Sequence, residues 1–301
     1  MSERPILEVD GLTIRYGRLT AVEDLSLAVP QGSVYALLGR NGSGKSSTVR
    51  CLLGQQRAAA GRARLLGLDA WENRRRIMTT VGVVAETPNI PPETTADRLE
   101  RFMAKVSASW DRSKYDSRLE RFGVPRQTRF DRLSKGQKRQ LSLTAAISAS
   151  PELLILDDPT LGLDAVARRE LFEELVSELA DRGTTVFITT HDLAGVEGIA
   201  DRIGIIKDGH LLIDEELETM KGRFRRLVFS SDEDSLREAV AAEMQPLRSA
   251  VAGDADVVVG GFDEGALSRV SQAEPPGQVT AEPMSLEEIF VALCGENGGG
   301  E

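Results

Sequence analysis

The feature that most constrains this chain is the stretch Gly39-Arg40-Asn41-Gly42-Ser43-Gly44-Lys45-Ser46, which fits the pattern G-x-x-x-x-G-K-[ST]. An apolar run, Val34–Leu38, precedes it and reads as a buried strand, and Lys45–Leu53 reads as a helix. Glycines here let backbone N–H groups turn inward around an anion. The start of the helix adds the positive end of its dipole. Lys45 then reaches the β- and γ-phosphates of a nucleoside triphosphate, and the Ser46 hydroxyl ligates Mg2+. Gly39, Asn41, Gly42, Ser43, Gly44 and Ser47 complete the expected cradle. A glycine-rich turn without a ligand is the competing reading, and the strand–loop–helix context weighs against it.

The surrounding pattern supplies a sheet for such a loop. Ile6–Tyr16 and Leu25–Val29 read as strands, as do Leu65-Leu66 and Val81–Ala85. Pro88, Pro91 and Pro92 break the chain, and helices are expected near 96–108, 113–122 and 137–149. Leu153–Leu156 is continuously apolar, as a strand buried on both faces of a parallel sheet should be. An amphipathic helix over Ala165–Asp181 follows, then a buried strand, Thr184–Thr190. Ile203–Lys207 and Leu211–Asp214 close the sheet. The alternation predicts an α/β fold with parallel strands and a helical insertion over about 88–150.

Asp157 and Asp158 follow the Leu153–Leu156 run, at the strand end where parallel sheets bind ligands. Asp157 is expected to hold Mg2+, directly or through water. Asp158 would face the attacking water as general base or orienter. A loop acid or helix cap beside Pro159 is the plainer reading of the same pair, and the phosphate cradle tips the balance. His191 ends the strand Thr184–Thr190, expected beside the Asp157 strand, where it could reach the γ-phosphate or the water.

Many nucleotide hydrolases share those features. A more specific piece is Leu133-Ser134-Lys135-Gly136-Gln137, ahead of a basic helix. It resembles the signature loop of ATP-binding cassette (ABC) proteins, usually written L-S-G-G-Q. The remaining motifs fall in that family's order: Tyr16 resembles the aromatic that stacks on adenine, Glu86 lies at the glutamine-loop position, Leu161-Gly162-Leu163-Asp164 resembles the D-loop, and Thr190-His191 the switch histidine. The resemblance covers residues 6–221. It implies a P-loop NTPase fold of the ABC nucleotide-binding type, with an antiparallel β subdomain and a helical subdomain, in a domain spanning 1–221. It implies ATP and Mg2+ as cofactors, and a catalytic set of Lys45, Glu86, Asp158 and His191, with Ser46, Glu86 and Asp157 at the metal. It also implies head-to-tail pairing of two nucleotide-binding domains, as a homodimer or heterodimer. Ser134, Gly136, Gln137 and Asp164 would then complete the site, the signature loop capping the ATP held by the other copy's cradle.

Three positions depart from the family pattern. Asp158 stands where the family usually has Glu, so its carboxylate is about 1.5 Å shorter, and slower hydrolysis is expected. Glu86 replaces the usual glutamine, keeping an oxygen for Mg2+ but adding negative charge near the γ-phosphate. Lys135 replaces the first signature glycine, which is expected to cost the loop conformational freedom.

Beyond Gly222 the character changes. This part carries 15 acidic against 6 basic residues and accounts for nearly all of the net charge of −10. Its elements read βαββαβ: Leu227–Ser230, Ser235–Glu243, Leu247–Val251, Asp256–Val259, Glu264–Ser271 and Val279–Glu282, then a final helix, Leu286–Cys294. A small α+β accessory domain over 222–297, of ferredoxin-like type, is expected, with a disordered tail over 298–301. It serves either simple surface solvation or regulatory docking.

No large basic field is available to grip a phosphate backbone, which argues against nucleic acid as partner. Cys51 and Cys294 read as thiols in a reducing compartment. No signal peptide and no window of ~18 uncharged apolar residues is evident, so any membrane span is expected from another chain. The family reading therefore implies integral membrane transporter subunits as partners and a cytoplasmic, peripheral place on the inner face of the cell membrane. The tail Ser285-Leu286-Glu287-Glu288-Ile289-Phe290 resembles that of bacterial drug-, polysaccharide- or antibiotic-export ATPases, which favours export over import. A slow or non-hydrolysing ATP-gated switch is the alternative that Asp158 keeps open.

Overall fold

A computed structural model describes residues 5–229, 243–244, 246–249, 256–273 and 279–295. The chain divides into two compact units, residues 1–214 and 215–301. The boundary falls within the strand His210–Glu216 rather than at 221/222. The reason is a short helix, Leu217–Arg223, which buries Leu217 and Met220 and belongs to the second unit.

The first unit begins with an antiparallel sheet. Its strands are β1 (Leu7–Tyr16), β2 (Leu19–Val29), β4 (Ala60–Leu65) and β5 (Leu68–Asp69), in the order β2-β1-β4-β5. Gly17, at φ 61°, turns β1 into β2. β2 starts earlier than its apolar run, because register shifts against β1 interrupt the alternation that marks a strand in sequence.

The second sheet of this unit holds β3 (Val34–Leu38), β6 (Val81–Val84), β7 (Leu153–Asp157), β8 (Thr185–Thr190), β9 (Arg202–Lys207) and β10 (His210–Glu216). Their order is β10-β9-β3-β8-β7-β6, and β9, β3, β8, β7 and β6 run parallel. β3, β7 and β8 are buried along their whole length, which is why their sequences do not alternate. The register pairs Leu38 with Thr190, Asp157 with Thr189, and Val84 with Leu156. The C-terminal ends of four neighbouring strands thus lie along one edge, and the functional candidates follow from those ends.

The helices of this unit are α1 (Lys45–Leu52), α2 (Arg74–Ile77), α3 (Ala96–Val106), α4 (Arg112–Arg121), α5 (Lys135–Ser148), α6 (Ala165–Arg182) and α7 (Leu193–Glu197). The helical insertion has its own core, in which Leu99 of α3, Tyr115 and Leu119 of α4 and Leu141 of α5 pack with Phe122, Phe130 and Leu133. Thr95, Asp111 and Ser134 cap α3, α4 and α5, each side chain accepting a backbone N–H.

α4 is fastened to α6 by charge. Lys114 Nζ donates to Glu178 Oε1 at 2.6 Å, and Arg121 to Glu174 Oε2 at 3.0 Å. Arg118 bonds both glutamates and lies 2.6 Å from Glu178. Glu178 is 1% exposed and Glu174 3%. A buried ionic contact of this kind adds little net stability but fixes register strongly, because losing one partner strands a charge.

In the second unit, α8 (Leu217–Arg223) leads into β11 (Arg225–Phe229), β12 (Pro246–Ser249), β13 (Asp256–Val259), α9 (Glu264–Ala273), β14 (Val279–Pro283) and α10 (Leu286–Cys294). The strands form an antiparallel sheet ordered β12-β13-β11-β14, around a core of Leu227, Phe229, Met244, Val259 and Ala266. β13 lies between β11 and β12, the strand order expected of a ferredoxin-like unit. The helix expected over Ser235–Glu243, all but its last residue, and the tail over 298–301 lie outside the described residues.

Candidate functional site

The loop between β3 and α1 owes its shape to two glycines with no room for a side chain. At Gly39 an added Cβ would lie 2.3 Å from Ser43 Oγ and 2.5 Å from the Ile206 carbonyl oxygen. At Gly44 it would lie 2.7 Å from the Ala21 carbonyl oxygen, and the backbone has φ 113°. Lys45 opens α1, is 7% exposed, and donates to the carbonyl oxygens of Gly39 at 2.6 Å and Arg40 at 3.1 Å. Burial lowers its pKa, while Asp158, Asp157 and Glu86 work in the opposite direction. The hydroxyl of Ser43 is buried without a hydrogen-bond partner among the described residues.

Asn41, Gly42, Gly44, Lys45, Ser46, Ser47, Glu86, Asp157 and Asp158 line one cavity of about 260 Å³, together with Ala21. Ser46 Oγ lies 3.3 Å from Asp157 Oδ1, which also accepts from Thr189 Oγ1 at 2.6 Å. Asp158 sits at φ 48°, uncommon outside glycine and a mark of local strain. Its Oδ2 lies 2.9 Å from His191 Nδ1, and its Oδ1 3.5 Å from Thr190 Oγ1. A hydrogen on Nδ1 donates to that carboxylate and leaves Nε2 as an acceptor. Tyr16 is half-exposed beside α1, its hydroxyl 3.4 Å from Ser47 Oγ.

The donor set fits magnesium. A hydroxyl and carboxylates are the hard oxygen ligands that ion prefers, and Ser46, Asp157 and Glu86 supply them in the same cavity. The cradle fits a phosphate chain equally well: it offers a buried cation, a hydroxyl without a partner and glycines at the closest approaches.

Ser134, Gly136, Gln137 and Asp164 do not line this cavity. Ser134 and Gln137 form a reciprocal cap on α5, each side chain serving the other's backbone N–H at 3.1 Å. The Ser134 oxygen accepts there, so its hydrogen stays available to a ligand. Beside Gly136 an added Cβ would meet nothing closer than 3.9 Å. Asp164 accepts from the Ala167 N–H at 2.9 Å, early in α6. Lys135 is not in the left-handed region, so a side chain in place of glycine there costs no backbone strain.

Two participants, Thr189 and Arg139, escaped the sequence reading, and Thr190 entered it only as the neighbour of the switch histidine. Thr189 and Thr190 bond the two aspartates, and their signal was a pair of hydroxyl residues following the apolar run Val186–Ile188. Arg139, on α5, is 6% exposed and donates to the carbonyl oxygens of Ala85 and Glu86 at 2.7 and 2.8 Å. Its signal was slight, because a basic residue on a helix ordinarily faces water.

A parallel sheet whose strand ends combine a phosphate cradle, a buried lysine and a carboxylate pair with a histidine defines a P-loop nucleoside triphosphatase. Comparison with known proteins narrows the class. Residues 22–161 match the family model described as ABC transporter. The chain is 30% identical over 298 residues to the bacitracin transport ATP-binding protein of Bacillus licheniformis, covering 96% of this chain and 97% of that one. It is 31% identical over 310 residues to the Nod factor export ATP-binding protein I of Ralstonia nicotianae, covering 97% and 94%. Among solved structures, a dimeric ATP-binding cassette in a post-hydrolysis state, bound to ADP and Pi, shares the fold with a TM-score of 0.64. There the identity is 20%, over 70% of this chain and 98% of that one. The chain belongs to the ABC transporter family and is one of its ATP-hydrolysing, ATP-binding subunits.

Proposed function

We propose that this subunit binds MgATP between two copies of its nucleotide-binding unit, or one copy and a paralogue, and powers an integral membrane exporter from the inner face of the cell membrane. The observation that carries the reading is the convergence of Lys45, Ser46, Glu86, Asp157 and Asp158 on one cavity, with His191 on Asp158 at 2.9 Å. Lys45 and the loop N–H groups hold the β- and γ-phosphates. Ser46, Asp157 and Glu86 hold Mg2+, which when bound neutralises charge on the phosphate oxygens. Asp158 orients the attacking water or takes its proton, and His191 keeps the Asp158 carboxylate aimed. Tyr16 stacks on adenine. Ser134, Gly136, Gln137 and Asp164 act on the nucleotide held by the second copy, which accounts for their place outside the cavity of their own chain.

Export rather than import is supported by the relatives, whose names specify bacitracin transport and Nod factor export. The same likeness to ATPases disfavours a switch that hardly turns over. Among the described residues no helix is long and apolar enough to cross a membrane, and this reading assigns the spans to partner chains. The test is copurification with a polytopic membrane protein that stimulates ATP hydrolysis, and loss of nucleotide binding in Lys45→Ala. A chain with no measurable affinity for ATP in magnesium overturns the reading.

A further inference from the structure

Lys45, the signature loop and the carboxylates account for the chemistry, but not for how the signature helix is held against the cavity. One side chain bridges that gap. Arg139 lies on α5, little more than a helical turn beyond Ser134, with its guanidinium drawn into the interior. It donates through one nitrogen to the Ala85 carbonyl oxygen at 2.7 Å, and through the other to the Glu86 carbonyl oxygen at 2.8 Å. The second nitrogen also approaches the Leu161 carbonyl oxygen at 3.5 Å.

Those carbonyls belong to two different working parts. Ala85 and Glu86 follow β6, and the Glu86 side chain lines the nucleotide cavity. Leu161 follows Asp158, whose carbonyl accepts the Leu161 N–H at 3.2 Å. We infer that Arg139 is a positioning residue for ATP hydrolysis, a planar fork that fixes the signature helix, the Glu86 backbone and the segment behind Asp158 in one arrangement.

Two physical points support this. The acceptors are backbone carbonyls, so the fork fixes where the Glu86 side chain emerges whatever its rotamer, and only a guanidinium offers donors spread widely enough to reach all three. In addition, among the described residues the buried charge has no carboxylate within ion-pair distance. Burial lowers its pKa, while the field of Asp158, Glu86 and Asp157 opposes that shift. Among the described residues that line the cavity, three are carboxylates and Lys45 is the one cation, and the same three carboxylates act on Arg139.

This inference rests on the role proposed for Glu86 at magnesium, and the test separates the two. Hydrolysis by the purified chain is measured against ATP and against Mg2+ for Arg139→Gln, Arg139→Lys, Glu86→Gln and the double variant Glu86→Gln/Arg139→Gln. Arg139→Gln is expected to lower kcat by about 10- to 100-fold, the cost of a misplacement of about an ångström, with KM for ATP changed less than about threefold. The Mg2+ midpoint should rise several-fold. Arg139→Lys keeps the charge but not the fork, so it should recover only a small part of the loss, and it stands in if the Gln variant does not fold. In the double variant the losses should fall well short of additive. Full rescue by Lys, or single-variant kinetics within twofold of wild type, overturns the positioning role. If Glu86→Gln alone leaves the Mg2+ titration unchanged, the metal role of Glu86 falls, and a kcat loss in Arg139→Gln still stands for the Asp158 side of the fork.

Discussion

Replacing Asp158 by Asn tests the chemical core of the site. The carboxylate lies 2.9 Å from His191 Nδ1 and 3.5 Å from Thr190 Oγ1, and its backbone N–H donates to the Thr189 carbonyl oxygen at 2.8 Å. Asn has the same shape and can keep those neighbours, so the change removes charge and basicity with little rearrangement. A positioned general base contributes about 10²- to 10⁴-fold, or roughly 3–5 kcal/mol of activation free energy. Turnover should fall by that factor. Nucleotide affinity should hold or tighten, because one of the three carboxylates lining the cavity no longer repels the phosphates. Single-turnover hydrolysis and a nucleotide titration on the same preparation separate the two quantities. An Asn variant within threefold of wild type in the chemical step would refute the assignment of Asp158 as base or orienter. Asp158→Glu examines the same point from the other side. It extends the side chain by about 1.5 Å and should speed hydrolysis, by up to about 100-fold, if reach limits the wild type. A slower Glu variant would show that the left-handed backbone at Asp158 already supplies the reach.

Three further outcomes follow from the packing. Gly44→Ala places a Cβ 2.7 Å from the Ala21 carbonyl oxygen on a backbone at φ 113°, so ATP affinity should drop more than about tenfold and stability by about 1–3 kcal/mol; thermal unfolding and ATP titration check both, and a wild-type profile refutes it. Arg118→Ala removes the cation that the buried Glu174 and Glu178 share, leaving each only its more exposed partner, Arg121 or Lys114, and should cost up to about 3–5 kcal/mol in urea unfolding, whereas replacing all three by apolar residues of similar volume should recover most of it. Burial pushes the Cys51 thiol up to about 11, so alkylation at pH 8, read by mass spectrometry of its peptide, should be far slower in the folded chain than in urea. The unfolded chain then gives up this proton first, near pH ~8.5. The contribution of Cys51 to stability is therefore present below that pH and lost as the pH rises towards about 11, and Cys51→Ala should flatten the slope.

What could be read from the sequence follows from how local each signal is. The cradle declares itself because its glycines, Lys45 and Ser46 are consecutive, and β7 because Leu153–Leu156 has no polar interruption. The early half of β2 was hidden, since its register shifts against β1 break the alternation. α7 and α8 are too short for a helical period to emerge. The salt-bridged contact between α4 and α6 joins residues 53 to 64 positions apart, and each of its charges taken alone reads as a solvated surface. Arg139 was missed for the same reason. Ser134 and Gly136 were visible only through family resemblance, because neither lines the cavity of its own chain.

That contact between α4 and α6 also bears on how the helical insertion can move. Most helices that pack in an interior leave oily surfaces when they part, and such surfaces stick to neighbouring molecules. Here, parting would uncover glutamates, arginines and a lysine, which water solvates readily. Should α4 part from α6, this contact would therefore expose charge rather than apolar surface, and it re-forms in one register because each buried glutamate must regain its cations.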